Sequence, residues 1–319
     1  MGKSSTIGKL LRHYIVYKLI AFFGFCVRRL PVHIALSLGE HAADVAYRLV
    51  KRRREITMSN LQLAFGGEKS HRELRTIAIQ SYRNLGKSFM EFLRFPLLTR
   101  ENLWQLVTIQ GKENLDRAIE MNGKAVVFIP HSGNHEFMAP IYSVLLPKTA
   151  AIAFPLKNPY LNQMANKYRG VFGLEIIGKR RATRHVLEAL NSGYSMGFVA
   201  DQDAGREGIF VEFFGRLASC SRGPVAMAIK TGAAIVFSID IRQPDDRHHV
   251  IISGPVELEL TGDFDRDVAH NTAKLMAELE NYIRQYPGQW MWQHNRWKTR
   301  PDSEWQGKRN QRRQAAMSI

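Results

Sequence analysis

From Lys124 to Tyr286 the chain alternates short apolar runs with helix-length segments, and this pattern restricts its fold more than any other feature. Lys124-Ala-Val-Val-Phe-Ile-Pro130 has the length of a strand and no polar face, and Phe137 to Leu146 after it carries helical periodicity. Ala150–Phe154 again has strand character, followed by a helical Asn158–Phe172. Leu174–Ile177, Ala182–Ser192 and Ser195–Ala200 then repeat strand, helix, strand. Further strands at Ile209–Phe213, Ala234–Ile241 and His248–Ile252 enclose a helix at Gly223–Thr231. A long helix, Asp265–Tyr286, stops at Pro287-Gly288. Strands apolar on both faces and separated by helices predict an α/β domain with a mainly parallel, twisted sheet flanked by helices.

Ahead of this domain the texture is helical. Glu55–Phe65 is followed by a Gly66-Gly67 break, and Ser70–Phe95 places Leu74, Ile77, Leu85, Phe89 and Phe92 at helical spacing. The extreme N-terminus is the most apolar part. Tyr14 to Val27 is interrupted only by Lys18 and closed by Arg28-Arg29. A bilayer span takes about 20 apolar residues, so this run spans only if Lys18 snorkels and the helix extends back toward Ile7. Pro31 separates it from an amphipathic stretch, Val32–Val50, which ends at Lys51-Arg52-Arg53-Arg54. An apolar hairpin edged with Lys and Arg predicts a helical membrane anchor over residues 1–54, an α/β domain over 55–301 and a basic tail over 302–319. A buried core helix is the competing reading of the first run. A cleaved signal peptide fits less well, because Arg28-Arg29 stands where small residues belong.

The net charge of +16 matters here because of its distribution: residues 1–60 and 295–319 hold thirteen of the sixteen charges. Charge gathered around an apolar anchor points to an anionic membrane surface. It argues against a nucleic-acid-binding protein, the alternative from a different class, which would carry its charge on the globular domain. Cys26 and Cys220 alone make neither a disulfide scaffold nor a zinc cluster.

The segment that carries chemistry is His131-Ser132-Gly133-Asn134-His135-Glu136, placed directly after the first apolar strand, where α/β sheets gather functional groups. Three readings are open. His131 and His135 stand at i and i+4, but Ser132 occupies the position where a zincin has Glu. A structural reading has Glu136 favouring a helix N-terminus through its dipole. In the third, the turn at Gly133-Asn134 folds His131 back onto Glu136. The carboxylate then fixes the imidazole tautomer while His131 takes a proton from a hydroxyl. Neither a G-x-S-x-G elbow nor a P-loop is present, so a base without a protein nucleophile suggests direct attack by a substrate hydroxyl.

The box resembles the H-x4-[D/E] signature of the glycerolipid acyltransferase superfamily, and the chain from Tyr14 to Pro301 resembles its bacterial lipid A biosynthesis (lauroyl/myristoyl) acyltransferases. The likeness rests on Arg52-Arg53-Arg54 with Asn60-Leu61 and Ala64-Phe65, and on Tyr82-Arg83-Asn84-Leu85-Gly86. Pro155-Leu156-Lys157-Asn158-Pro159 with Arg169 and Gly173, and Ala200-Asp201-Gln202 with Phe213-Phe214-Gly215, extend it. So does the closing stretch Tyr286 to Lys298. The resemblance implies transfer of an acyl chain from an acyl carrier protein thioester to a hydroxyl of a phosphorylated lipid A precursor, at the cytoplasmic face of the inner membrane, without cofactor or metal. It implies His131 as base with Glu136 as its partner, and Asn134, Arg169, Asp201 and Gln202 on the substrate. An ornithine lipid or another glycolipid is the alternative acceptor. The resemblance also favours the Trp-rich closing stretch as a membrane-interface element. One departure is visible: the family often has Trp where this chain has His135.

Overall fold

The computed structural model describes residues 3–178 and 182–301; the basic tail expected over 302–319 lies outside them. Four helices come first: α1 (Lys3–Arg29), α2 (Val32–Leu49), α3 (Lys51–Phe65) and α4 (His71–Arg94). Pro31 supplies the break between α1 and α2. At the start of α4, Ser70 and Glu73 cap each other's backbone N–H in a reciprocal box. Helix α2 buries Ala35, Leu36, Ala43 and Tyr47 against α4, and Gly39 meets Gly86 where the two backbones cross. A Cβ at either glycine would collide with the carbonyl of the other.

The α/β part follows in the order α5 (Arg100–Leu106), β1 (Val107–Gln110), α6 (Lys112–Asn122), β2 (Ala125–Ile129), α7 (Met138–Leu145), β3 (Thr149–Ala153), α8 (Pro159–Arg169), β4 (Glu175–Gly178), α9 (Ala182–Asn191) and β5 (Ser195–Val199). It continues with β6 (Ile209–Phe213), β7 (Arg216–Cys220), α10 (Gly223–Thr231), β8 (Ala234–Arg242), β9 (His248–Ile252) and α11 (Phe264–Gln285). Seven strands form one sheet in the order β1-β9-β8-β2-β5-β3-β4. Every pair is parallel except β8 with β9, so the mainly parallel α/β sheet is as expected. Strands β6 and β7 make a separate antiparallel hairpin.

The sheet is buried on both faces, and β2 shows how. Val126 and Phe128 join the core under α9, α10 and α11, while Ala125, Val127 and Ile129 join the core under α5, α6 and α7. That two-sided burial explains the unbroken apolar run in the sequence. The register Ile129↔Val199 between β2 and β5 has a direct consequence for the site: the residues after each strand leave the sheet side by side.

Candidate active site

His131 follows β2 by two residues and Asp201 follows β5 by two, so the parallel pairing sets them against each other across 70 residues of chain. The His131 Nδ1 lies 2.6 Å from one Asp201 carboxylate oxygen, and the His131 backbone N–H donates to the other at 3.0 Å. The Trp290 indole N–H also donates to that second oxygen, at 2.6 Å. Burial alone would raise the pKa of Asp201, which is 1% exposed. The His131 side chain, the Trp290 indole and the His131 backbone N–H together outweigh burial, so the carboxyl is held well below the usual carboxylate range. An ionised Asp201 on Nδ1 places the proton of the neutral ring there and leaves Nε2 as the acceptor. Nε2 faces the Gln202 side-chain amide, whose N–H donates to it at 3.2 Å.

The expected hydrogen bond between His131 and Glu136 is therefore replaced by two separate pairs. Both Glu136 oxygens are taken by Arg169, at 2.6 and 2.8 Å, from the last turn of α8. Burial opposes charge on both partners, yet their mutual hydrogen bonds lower the Glu136 pKa and raise that of Arg169. The reason lies in the turn. Glu136 sits in a 3-10 turn over His135–Phe137 that aims it toward α8, whereas His131 leaves β2 toward β5. Gly133 makes the turn possible, with φ of +54° and no room for a Cβ beside the Asp240 carbonyl.

Asn134, expected on the substrate, is instead fully buried beneath the loop. Its backbone N–H donates to Asp240 (2.6 Å), its amide to Glu91 (2.8 Å), and its side-chain oxygen accepts from the Glu136 N–H (3.2 Å). Arg169 and Gln202 do face open space. With His131, His135 and Glu136 they line a cavity of about 630 Å³ that runs along β3 and β5 past Ala150, Met196 and Gly197. The volume suits a small-molecule or acyl ligand. His135 forms part of the wall, its ring centroid 4.6 Å from that of His131. Burial first, and then the neighbouring His131, push its pKa down to about 4, so it is neutral at pH 7.

Two supports were not visible from the box. Along α4, Ser81, Asn84, Ser88 and Glu91 form a polar stripe on the buried face. Asn84 and Ser88 both donate to the Gly133 carbonyl, at 2.7 and 3.1 Å. Glu91 pairs with Arg242 through two hydrogen bonds (2.6 and 2.7 Å) and contacts His248, which is held in turn by Asp240 at 2.7 Å. The signal for this cluster is present in the sequence as Asp240 and Arg242 within the apolar run of β8. The second support is the closing segment. Trp290, Trp292 and Trp297 are 2%, 0% and 5% exposed, which corrects their reading as a membrane-interface element. They strap the box instead: Met291 N–H donates to the His131 carbonyl, and Gly133 N–H to that of Gln289. Among the described residues no three His, Cys, Asp or Glu side chains gather as metal ligands.

Comparison with known proteins identifies the family. The family model described as bacterial lipid A biosynthesis acyltransferase matches residues 3–299. The chain is 26% identical to the lipid A biosynthesis palmitoleoyltransferase of Escherichia coli (strain K12) over 278 residues, 86% of this chain and 89% of that protein. It is equally similar to the lipid A biosynthesis lauroyltransferase of the same organism, at 26% over 280 residues with the same coverage. It is 31% identical to a phosphatidylinositol mannoside acyltransferase of Mycobacterium tuberculosis (strain CDC 1551 / Oshkosh) over 170 residues, about half of each chain.

Proposed function

The chain belongs to the bacterial lipid A biosynthesis acyltransferase family and is an acyltransferase; we propose that it moves a fatty acyl chain from an acyl carrier protein thioester to a hydroxyl of a phosphorylated lipid A precursor, at the cytoplasmic face of the inner membrane. The observation that carries this reading is the His131–Asp201 pair, with Nε2 turned toward a cavity able to take an acyl chain.

In this mechanism the acceptor hydroxyl displaces the Gln202 amide from His131 Nε2 and gives up its proton there as its oxygen attacks the thioester carbon. Asp201 stabilises the imidazolium that forms, and Trp290 and the His131 N–H hold the carboxylate in line. The displaced Gln202 N–H is then free to donate to the oxyanion. Collapse expels the carrier thiolate, which recovers the proton from His131. Arg169, fixed by Glu136, offers its remaining N–H groups to an acceptor phosphate at the cavity mouth. Glu136 thus acts by placing Arg169, while His131 takes the proton.

The half-length likeness to a phosphatidylinositol mannoside acyltransferase supports a second reading, in which the acceptor is another glycolipid. Purified protein supplied with acyl carrier protein thioester and lipid A precursor separates the two. Acylated precursor detected by mass spectrometry supports the first reading. Failure with that acceptor but transfer to a mannosylated phosphatidylinositol supports the second.

A further inference from the structure

Helix α1 holds the one candidate span among the described residues, Gly8–Arg29, apolar and long enough to cross a bilayer. Its contacts argue for a different placement. His13, Tyr17, Ile20, Gly24 and Val27, spaced by four, three, four and three residues, form a single helical face turned toward the globular body. At one end of that face the His13 carbonyl accepts from the Asn158 amide at 2.8 Å, and Tyr14 and Tyr17 pack on Tyr160 of α8. At the other end Gly24 rests against Leu93. Arg28 donates to the Leu93 carbonyl and the Tyr168 hydroxyl, and Arg94 donates back to the Val27 carbonyl. Residues 13–28 therefore lie along α8 and the end of α4 for roughly 22 Å at 1.5 Å per residue.

That length cannot also sit in the hydrocarbon core. Helix α8 runs beside it and exposes Gln163 and Lys167, which an α1 inserted across the hydrocarbon would carry in with it. The face opposite the seated one carries Leu11, Ile15, Leu19 and Phe22, the last two 64% and 68% exposed. No Asp or Glu lies anywhere on α1, while Lys9, Arg12, Lys18, Arg28 and Arg29 do. Lys18 folds back over the Tyr14 and Tyr17 rings, 5.2 and 5.8 Å from their centroids, out of the way of the apolar stripe.

We infer that α1 lies in the plane of an anionic leaflet, its Leu11–Ile15–Leu19–Phe22 stripe in the acyl region and its basic residues among the headgroups, and does not cross the bilayer. The inference deepens the membrane placement proposed above and rests on it. Its consequence is positional. Phe154 of the cavity wall and Leu156 are exposed at one end of α8, and Arg169 stands at the other, so a docked α1 holds the cavity mouth at headgroup depth, where a lipid acceptor is found.

Sidedness tests this directly. A full-length protein with Cys26→Ala and a short polar N-terminal extension carrying a single cysteine is exposed to a membrane-impermeant maleimide, first in intact spheroplasts and then in inverted inner-membrane vesicles. An in-plane α1 gives labelling in the inverted vesicles and a complete loss of it in intact spheroplasts. Labelling in intact spheroplasts places the N-terminus across the membrane and overturns the inference. Recovery of the protein in the soluble fraction at low salt is the distinct outcome that sinks the membrane reading beneath it, and the inference with it.

Discussion

In the proposed mechanism the reacting nitrogen of His131 depends on what holds the other side of its ring, which in the structure is Asp201. Asp201→Asn removes the ionised acceptor and allows the wrong tautomer, so kcat should fall by about 10³–10⁴ with little change in donor KM. Glu136→Gln loosens Arg169 and leaves the Nδ1 partner intact, so it should cost less, and mainly in acceptor KM. Steady-state kinetics on the two variants check this order; a mild Asp201→Asn beside a dead Glu136→Gln would reverse the assignment. The box was legible because its logic is local: strand end, glycine, cap, helix. The partnership with Asp201 was not, since it depends on β2 and β5 being neighbours in the sheet, a choice no stretch of sequence records. Asn134 was misplaced for a related reason. Its residue type suits a ligand contact or a cap equally, and only the position of Asp240 and Glu91 beneath the loop decides between them.

Two contacts between elements hold the site's floor. At the α2–α4 crossing, Gly86→Ala forces the backbones apart and should cost about 1–3 kcal/mol, read as a lowered Tm with the site chemistry untouched. The β8–β9–α4 junction makes a pH prediction. Burial would lower the His248 pKa, but Asp240 and Glu91 override it and raise it to about 9. A folded-state pKa above the unfolded value of about 6.5 means stabilisation that is complete below pH 6.5 and lost as pH rises through 9, worth about 3 kcal/mol. Chemical denaturation at pH 6.5 and 9.5 should show that loss in the parent protein and a flatter profile in His248→Gln. At this scale the long helices and buried strands were readable because burial on one or both faces writes a period into the sequence. Strand β1 alternates Val107 and Ile109 with the exposed Thr108 and Gln110, but four residues are too few for that period to stand out, and β7 opens on the exposed Arg216 and Leu217. The membrane-interface reading of the Trp-rich segment rests on its mix of Trp with Lys and Arg and on the resemblance, and neither distinguishes a belt at a bilayer from rings packed against Phe213 and Phe214.

Across the whole molecule, the net charge gathers toward the two ends of the sequence, and α1, at one of them, carries basic residues and no Asp or Glu. Vesicles containing phosphatidylglycerol should bind the protein more weakly as salt rises, because headgroup attraction is screened within a Debye length. Residual binding at high salt should persist through the apolar stripe and disappear in a Leu19→Glu, Phe22→Glu double variant; flotation assays measure both. Unchanged flotation of that variant would show that the stripe is not the docking face. The apolar N-terminal run and the charge around it suggested a membrane surface from the sequence alone. The path of α1 along α8 could not be read from them, because it is fixed by packing between segments more than a hundred residues apart. The most direct test of the account is the mass spectrum of lipid A from cells lacking the gene, and from the same cells carrying either the parent protein or Asp201→Asn. The account predicts one acyl chain missing in the deletion, restored by the parent and not by the variant. An unchanged lipid A profile in the deletion, or full restoration by Asp201→Asn, would contradict it.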